Sequence, residues 1–154
     1  MFYEKALKQT DNPLYEAKCP ALIFRTALCY RHIQETDEAV KLFQEAADLY
    51  SKINSDKSIT AFLCIAQSYS EVYRFEEAKS AYLKVLGFGK VLPDNIFVRA
   101  NLDLAEIEDN NLNTERAAGY ANNALQSAEK LGNKKLLTES YFKYAPRKTI
   151  IARW

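Results

Sequence analysis

The residue types that most often perform catalysis or bind metals are sparse in this sequence. His32 is the only histidine, and no cysteine and carboxylate are arranged around it as a nucleophilic set. Glu106, Glu108 and Asp109 form an acidic group, but no second set of ligands lies near them in the sequence. A solvated helix end therefore explains this group better than a metal site. We predict a protein that is not an enzyme and has no cofactor or metal.

Phosphate-containing ligands also lack their usual sequence signals. Gly87 and Gly89 are not followed by the Gly-Lys-Ser/Thr of a phosphate-binding loop. The net charge of the 154 residues is only +1, and basic residues cluster only at the end, as Arg147, Lys148 and Arg153. For that cluster, phosphate contact, a docking segment and an expression remnant are the alternatives. We predict that the partners include neither nucleic acid nor membrane.

The cysteines and the apolar runs indicate the compartment. Cys19, Cys29 and Cys64 are odd in number and lack the spacing of metal ligands. We expect them to be small buried thiols in a reducing cytoplasm. No segment resembles a signal peptide, and no apolar run approaches the roughly 20 residues of a membrane span. The predicted location is therefore cytoplasmic.

Any functional residue must be positioned by the secondary structure, and the clearest predicted element is a helical hairpin. Ala27 and Tyr30 share one face of its first helix, and Ala39 and Phe43 share one face of its second. Between the two helices, residues 35–37 offer polar side-chain oxygens that are expected to cap the second helix. The pattern predicts two antiparallel helices joined by a tight turn.

This hairpin recurs with a period of 39 residues. Two small residues stand 12 positions apart in each copy, as Ala27/Ala39, Ala66/Ala78 and Ala105/Ala117. Larger side chains at these crossing points would cost roughly 1–3 kcal/mol by overpacking. The third copy departs from the others, because Glu108 replaces the tyrosine of the first helix and Ala121 the aromatic residue of the second. A period of this size predicts a helical solenoid.

The repeated motif resembles the tetratricopeptide repeat (TPR). A small residue and a tyrosine end the first helix, and the second helix reads TDEAVKLFQEA at 36–46 and FEEAKSAYLKV at 75–85. The resemblance implies an all-α fold, a right-handed superhelical solenoid of antiparallel helix hairpins. We assign residues 1–145 to this repeat domain and residues 146–154 to a basic C-terminal tail.

The TPR resemblance also implies a concave face lined by the first helix of each hairpin. Counted from Ala27, Ala66 and Ala105, the groove-facing positions mix apolar with amide or charged side chains. The predicted partner-binding groove consists of Phe24, Leu28, Arg31, Leu63, Gln67, Ser70, Arg99, Leu102 and Glu106. Such a surface suits an extended peptide or a partner helix. The Lys and Asn with which one TPR subgroup binds chaperone C-terminal tails are absent from these positions, so that ligand is not predicted.

Two functions follow as alternatives. The first is a non-enzymatic module that binds a protein or peptide on the concave face. The second is the sensory domain of a peptide-responsive bacterial regulator, since the long repeats resemble those of peptide-pheromone receptors of Gram-positive bacteria. The two differ in whether a bound ligand changes the pitch of the stack.

The order of the helices predicts exposed apolar ends. Residues 1–10 read as a second helix without a first, and residues 134–144 as a first helix without a second. Self-association through these ends and continuation into a longer solenoid are the alternatives. A helix is expected over 14–33 with a break at Pro20, and the second helix of the first hairpin is expected to end near Ile53. Further helices are expected over 58–73, 76–86, 96–107 and 114–131.

Overall fold

A computed structural model of the chain describes residues 19–142, and all regular structure in this part is helical. The predicted helix over residues 1–10 and the tail over 146–154 lie outside the described residues. The helices are α1 Cys19–His32, α2 Thr36–Lys52, α3 Lys57–Glu71, α4 Phe75–Leu86, α5 Asp94–Asn110, α6 Thr114–Leu131 and α7 134–142, with a short 3-10 helix Gly89–Val91 before α5.

The helix bounds follow the sequence signals with one clear exception. α6 has its predicted bounds and ends at Gly132, whose φ of 61° is the left-handed conformation of a helix C-terminus. α5 instead continues to Asn110, beyond the predicted end at residue 107. The polar run after Ile107 looked like a stop signal, but Glu108 lies on the buried face and is 0% exposed. The prediction of an end at residue 107 is therefore wrong, because it treated the buried Glu108 as part of a polar stop signal.

The predicted side-chain caps between the first two helices do not form. Glu35 occupies the N-cap of α2 with φ −79° and ψ 72°, and it makes no side-chain cap hydrogen bond. Side-chain capping normally needs an extended backbone and a shorter side chain. The main chain closes the turn instead, because the Glu35 N–H donates to the Tyr30 carbonyl over 2.9 Å and the Ala39 N–H donates to the Glu35 carbonyl over 3.0 Å.

The chain divides into two compact units, Met1–Ala81 and Tyr82–Trp154, which we call unit 1 and unit 2. In unit 1, α2 packs against both α1 and α3. Its buried residues follow a helical period and form one apolar stripe: Ala39, Leu42, Phe43, Ala46, Ala47 and Tyr50. Phe43 is 0% exposed, and burying a side chain of this size stabilises the fold by about 1.5–3 kcal/mol. This stripe holds α1 and α3 in place.

In unit 2, α5 packs against α6. The core cluster there contains Val98, Leu102, Ala124, Ala128 and Leu136. A partly buried polar contact also lies in this unit, where the Asn113 amide donates to the Glu108 carboxylate over 2.8 Å. Glu108 therefore occupies an inward position, at the place where the first two copies carry tyrosine.

The small residues of the three hairpins are buried, as predicted. Each of the six is at most 4% exposed, the set being Ala27, Ala39, Ala66, Ala78, Ala105 and Ala117.

Among residues 19–142, no helix is both long and apolar enough to cross a membrane. Pro20 is only the second described residue of α1, so the predicted break at this position stays a prediction.

Candidate functional site

A polar cluster connects the first helices of two consecutive hairpins in unit 1. Arg31, near the end of α1, donates through Nε to Oε2 of Glu71 at the end of α3 over 2.9 Å. Its Nη2 donates to the other oxygen of the same carboxylate, which makes the ion pair bidentate. Its Nη1 donates to Oε1 of Gln67 over 3.2 Å. Two predicted groove residues, Arg31 and Gln67, are therefore in direct contact.

A depression of about 560 Å³ surrounds this ion pair. Its lining residues are Leu28, Cys29, Arg31, His32, Ile33 and Glu71. Leu28 is 39% exposed and Ile33 66% exposed, so apolar side chains stand in solvent beside the two charges. We call this surface the α1 depression. It combines accessible apolar area with a polar group of fixed geometry, which is the usual composition of a binding surface.

The three cysteines differ in environment, and the expectation of three buried thiols is wrong for Cys29. Cys29 is exposed, while Cys19 and Cys64 are buried. The reason is helical period, because Cys29 lies two positions after Ala27 and so points away from the core. Burial raises the pKa of the Cys64 thiol to about 11, although the charge of nearby Arg31 and its hydrogen bond act in the opposite direction. At neutral pH Cys64 is thus a neutral thiol close to Arg31.

The remaining predicted groove residues of unit 1 are half-buried or buried. Phe24 packs edge-to-face on Phe43 with ring centroids 5.3 Å apart, so its ring lies against the core cluster. Leu63 is 8% exposed, and Ser70 is half-buried. Among the predicted groove residues of this unit, Leu28 alone is exposed, while Arg31 and Gln67 are half-buried.

In unit 2 the predicted groove residues also differ in accessibility. Arg99 of α5 donates through Nη2 to the Glu139 carboxylate of α7 over 2.8 Å. Glu106 is exposed, whereas Leu102 is 0% exposed and belongs to the core cluster. Leu102 therefore cannot contact a partner directly and can only pack under the residues that do.

The sequence prediction missed Cys29, His32, Ile33 and Glu71, which complete the α1 depression. A signal for Glu71 was present in the sequence. Arg31 and Glu71 are 40 residues apart, as are Arg99 and Glu139. Opposite charges separated by about one repeat on first helices indicate side chains that pair between neighbouring hairpins.

The described residues show no arrangement suited to metal binding. Within residues 19–142, no group of three or more His, Cys, Asp or Glu side chains is placed to bind a metal ion. The α1 depression offers hydrogen-bond donors, a carboxylate and apolar area. These groups suit hydrogen bonding, ion pairing and apolar contact with another molecule.

The comparisons with known proteins bear on the fold. No protein-family model matches the sequence, and no curated protein matches it. Among solved structures, the chain is similar to MamA, a TPR-containing protein, with a TM-score of 0.58 and 13% sequence identity. The similarity covers 99% of this chain and 88% of the MamA chain. At this identity the likeness establishes the fold alone, and we conclude that the chain has an all-α, TPR-like helical-repeat fold.

Proposed function

We propose that the protein is a cytoplasmic, non-enzymatic interaction module that binds a protein or peptide on the surface formed by its first helices. The observation that carries this proposal is the α1 depression, where exposed Leu28 and Ile33 stand beside the Arg31–Glu71 ion pair. Leucine and isoleucine in solvent gain free energy when a partner covers them. The neighbouring charges and amide fix the orientation of that partner through directional hydrogen bonds.

The proposal extends to the first helix of unit 2. There Arg99 and Glu106 are the predicted groove residues with accessible polar groups. They suit the polar part of a partner, such as the backbone or a charged side chain of an extended peptide.

The test compares two leucines that are similarly exposed but lie on different helices. Leu28 on α1 is 39% exposed and Leu83 on α4 is 45% exposed. The wild-type chain, Leu28→Ser and Leu83→Ser are used to capture proteins from a lysate of the source cells, with mass spectrometry as readout. Each captured candidate is then purified and titrated by calorimetry, after circular dichroism has shown that both variants are folded.

A partner of the first-helix surface should bind the wild type and Leu83→Ser equally. Its affinity for Leu28→Ser should be about tenfold lower, because one leucine is no longer covered. If every purified partner binds Leu28→Ser as tightly as the wild type, the α1 depression is not the binding surface and the proposal is wrong.

The second candidate is a sensory domain of a peptide-responsive bacterial regulator. The Arg31–Glu71 ion pair favours it, because this contact connects consecutive first helices and a ligand beside it would change that connection. Small-angle X-ray scattering with and without a bound peptide distinguishes the two functions. A sensor predicts a changed scattering curve, and an unchanged curve at saturation with peptide contradicts it.

A further inference from the structure

The two side chains of the Arg31–Glu71 ion pair differ in solvent exposure and in the number of their other contacts. The Arg31 side chain is 20% exposed and the Glu71 side chain 50% exposed. Arg31 also donates to Gln67 and lies near the buried Cys64 thiol. Among residues 19–142, the Glu71 carboxylate bonds to Arg31 alone. The guanidinium is therefore a fixed cation, and the carboxylate is free to rotate into solvent once Arg31 has another partner.

We propose that Glu71 is an internal competitor for Arg31, and that the α1 depression binds a peptide through an acidic side chain that replaces Glu71. This inference rests on the proposed function and names the chemistry of the partner. The ligand carboxylate accepts the two guanidinium hydrogen bonds that Glu71 now accepts, and the neighbouring apolar residues of the peptide cover Leu28 and Ile33.

Charge explains why the ligand is acidic. Of the six residues that line the depression, Glu71 is the only acid, and Arg31 and His32 are the basic ones. Once Glu71 turns away, the surface around Arg31 carries no negative charge from these residues. A neutral peptide gains nothing by displacing Glu71, whereas an acidic one restores the bidentate geometry.

The exposed position of Glu71 sets the size of its effect. Ion pairs with a well-solvated partner contribute little, so competition from Glu71 should weaken an acidic ligand by about two- to fivefold. Removing Arg31 should weaken that ligand by about tenfold or more, because a charge-assisted bidentate contact is lost. The two substitutions therefore change affinity in opposite directions.

The test uses an array of acetylated and amidated dodecapeptides in which a single glutamate is flanked by apolar residues. A second array carries glutamine in place of that glutamate. Both are probed with the fluorescently labelled full-length wild type, Glu71→Gln, Arg31→Gln and Glu38→Gln. Glu38 is exposed on α2 and lies outside the depression, so Glu38→Gln controls for the change in net charge. Fluorescence anisotropy then gives the dissociation constants of the retained peptides.

We expect the wild type to prefer the glutamate peptides. That preference should rise about two- to fivefold in Glu71→Gln, stay unchanged in Glu38→Gln and disappear in Arg31→Gln. Equal binding of glutamate and glutamine peptides by the wild type and Glu71→Gln overturns the inference but leaves the proposed function intact. If neither array retains the wild type, the peptide-binding function itself is contradicted. If Glu71→Gln and Glu38→Gln raise the preference equally, the effect is one of net charge and the inference is wrong.

Discussion

Gln34 and Tyr73 lie 39 residues apart and share a left-handed backbone conformation, with φ of 62° and 61°. Leu112, a further 39 residues along the chain, has φ of 60°. At each place the next residue donates its N–H to a carbonyl five positions earlier, over 2.9, 3.0 and 2.8 Å. The repeat is therefore a property of the backbone as well as of the side chains. It persists in the third copy, where Glu108 and Ala121 break the side-chain pattern.

Substitution of Leu112 by glycine should stabilise the protein. Leu112 is 87% exposed, so few contacts are lost, and its left-handed conformation is unfavourable for a residue with a β-carbon. After the entropic cost of glycine, the expected gain is up to about 1 kcal/mol in the free energy of unfolding. Urea denaturation measures it.

The matched control for that change is Leu83→Gly. Leu83 is also exposed but lies inside α4, where glycine should destabilise by about 1 kcal/mol. Equal destabilisation by the two substitutions would show that the conformation of Leu112 is not strained.

Enlarging a small residue at a hairpin crossing should destabilise the protein. Ala66 on α3 is 0% exposed, so Ala66→Leu has no room for three added carbon atoms. We expect a loss of about 1–3 kcal/mol in thermal or urea unfolding. Ser80→Leu, at an exposed position of α4, should stay within about 0.5 kcal/mol of the wild type. A loss for Ser80→Leu as large as that for Ala66→Leu would argue against a crowded crossing.

Helical period accounts for most of what could be predicted from the sequence. The buried alanines and the bounds of α6 followed from spacing and from the Gly132 stop signal, because both depend on local geometry. The burial of Glu108 did not follow, since composition alone suggests that four consecutive polar residues end a helix. Only its position, which matches Tyr30 and Tyr69, indicated an inward direction.

The candidate site was predictable in part. The groove pattern selected Leu28, Arg31 and Gln67, which lie together on one surface. It could not show that Leu102 has no accessible area, because the depth of a side chain depends on how closely α5 and α6 pack. It also missed Glu71, since pairing between hairpins is a tertiary contact that no single helix pattern contains.

Removal of the Tyr82 hydroxyl should destabilise the protein, because this hydroxyl makes a partly buried hydrogen bond to Asp103. Tyr82 is 1% exposed and its hydroxyl donates to Oδ2 of Asp103 over 2.9 Å. Tyr82→Phe should cost about 1.5–3 kcal/mol in the free energy of unfolding, the range for hydrogen bonds to charged groups. Tyr120→Phe is the control, because the half-buried Tyr120 makes no side-chain hydrogen bond to the described residues. Equal, small effects of both substitutions would contradict a stabilising role for the Tyr82 hydroxyl.

The cysteines should differ in reactivity. Cys29 is exposed, whereas Cys64 is buried and its raised pKa leaves almost no thiolate at neutral pH. Iodoacetamide at pH 8 should therefore modify the native chain first at Cys29, as peptide mass spectrometry can show, and Cys64 only after unfolding. Cys29→Ser should remove the fast modification. Alkylation of native Cys64 at the rate of Cys29 would show that the thiol is not sequestered.

The same pKa shift predicts how stability depends on pH. Folding raises the pKa of Cys64 from 9.0 to about 11, so in this range the unfolded chain loses the thiol proton first. The stabilising contribution is complete below pH 9 and is lost as the pH rises towards 11, by about 2–3 kcal/mol. Tyrosines and lysines titrate in the same range, so the measurement is the difference between wild type and Cys64→Ala in urea unfolding at several pH values. That difference should shrink as the pH rises from 8.5 to about 10.5, and a constant difference would mean that the Cys64 thiol titrates alike in both states.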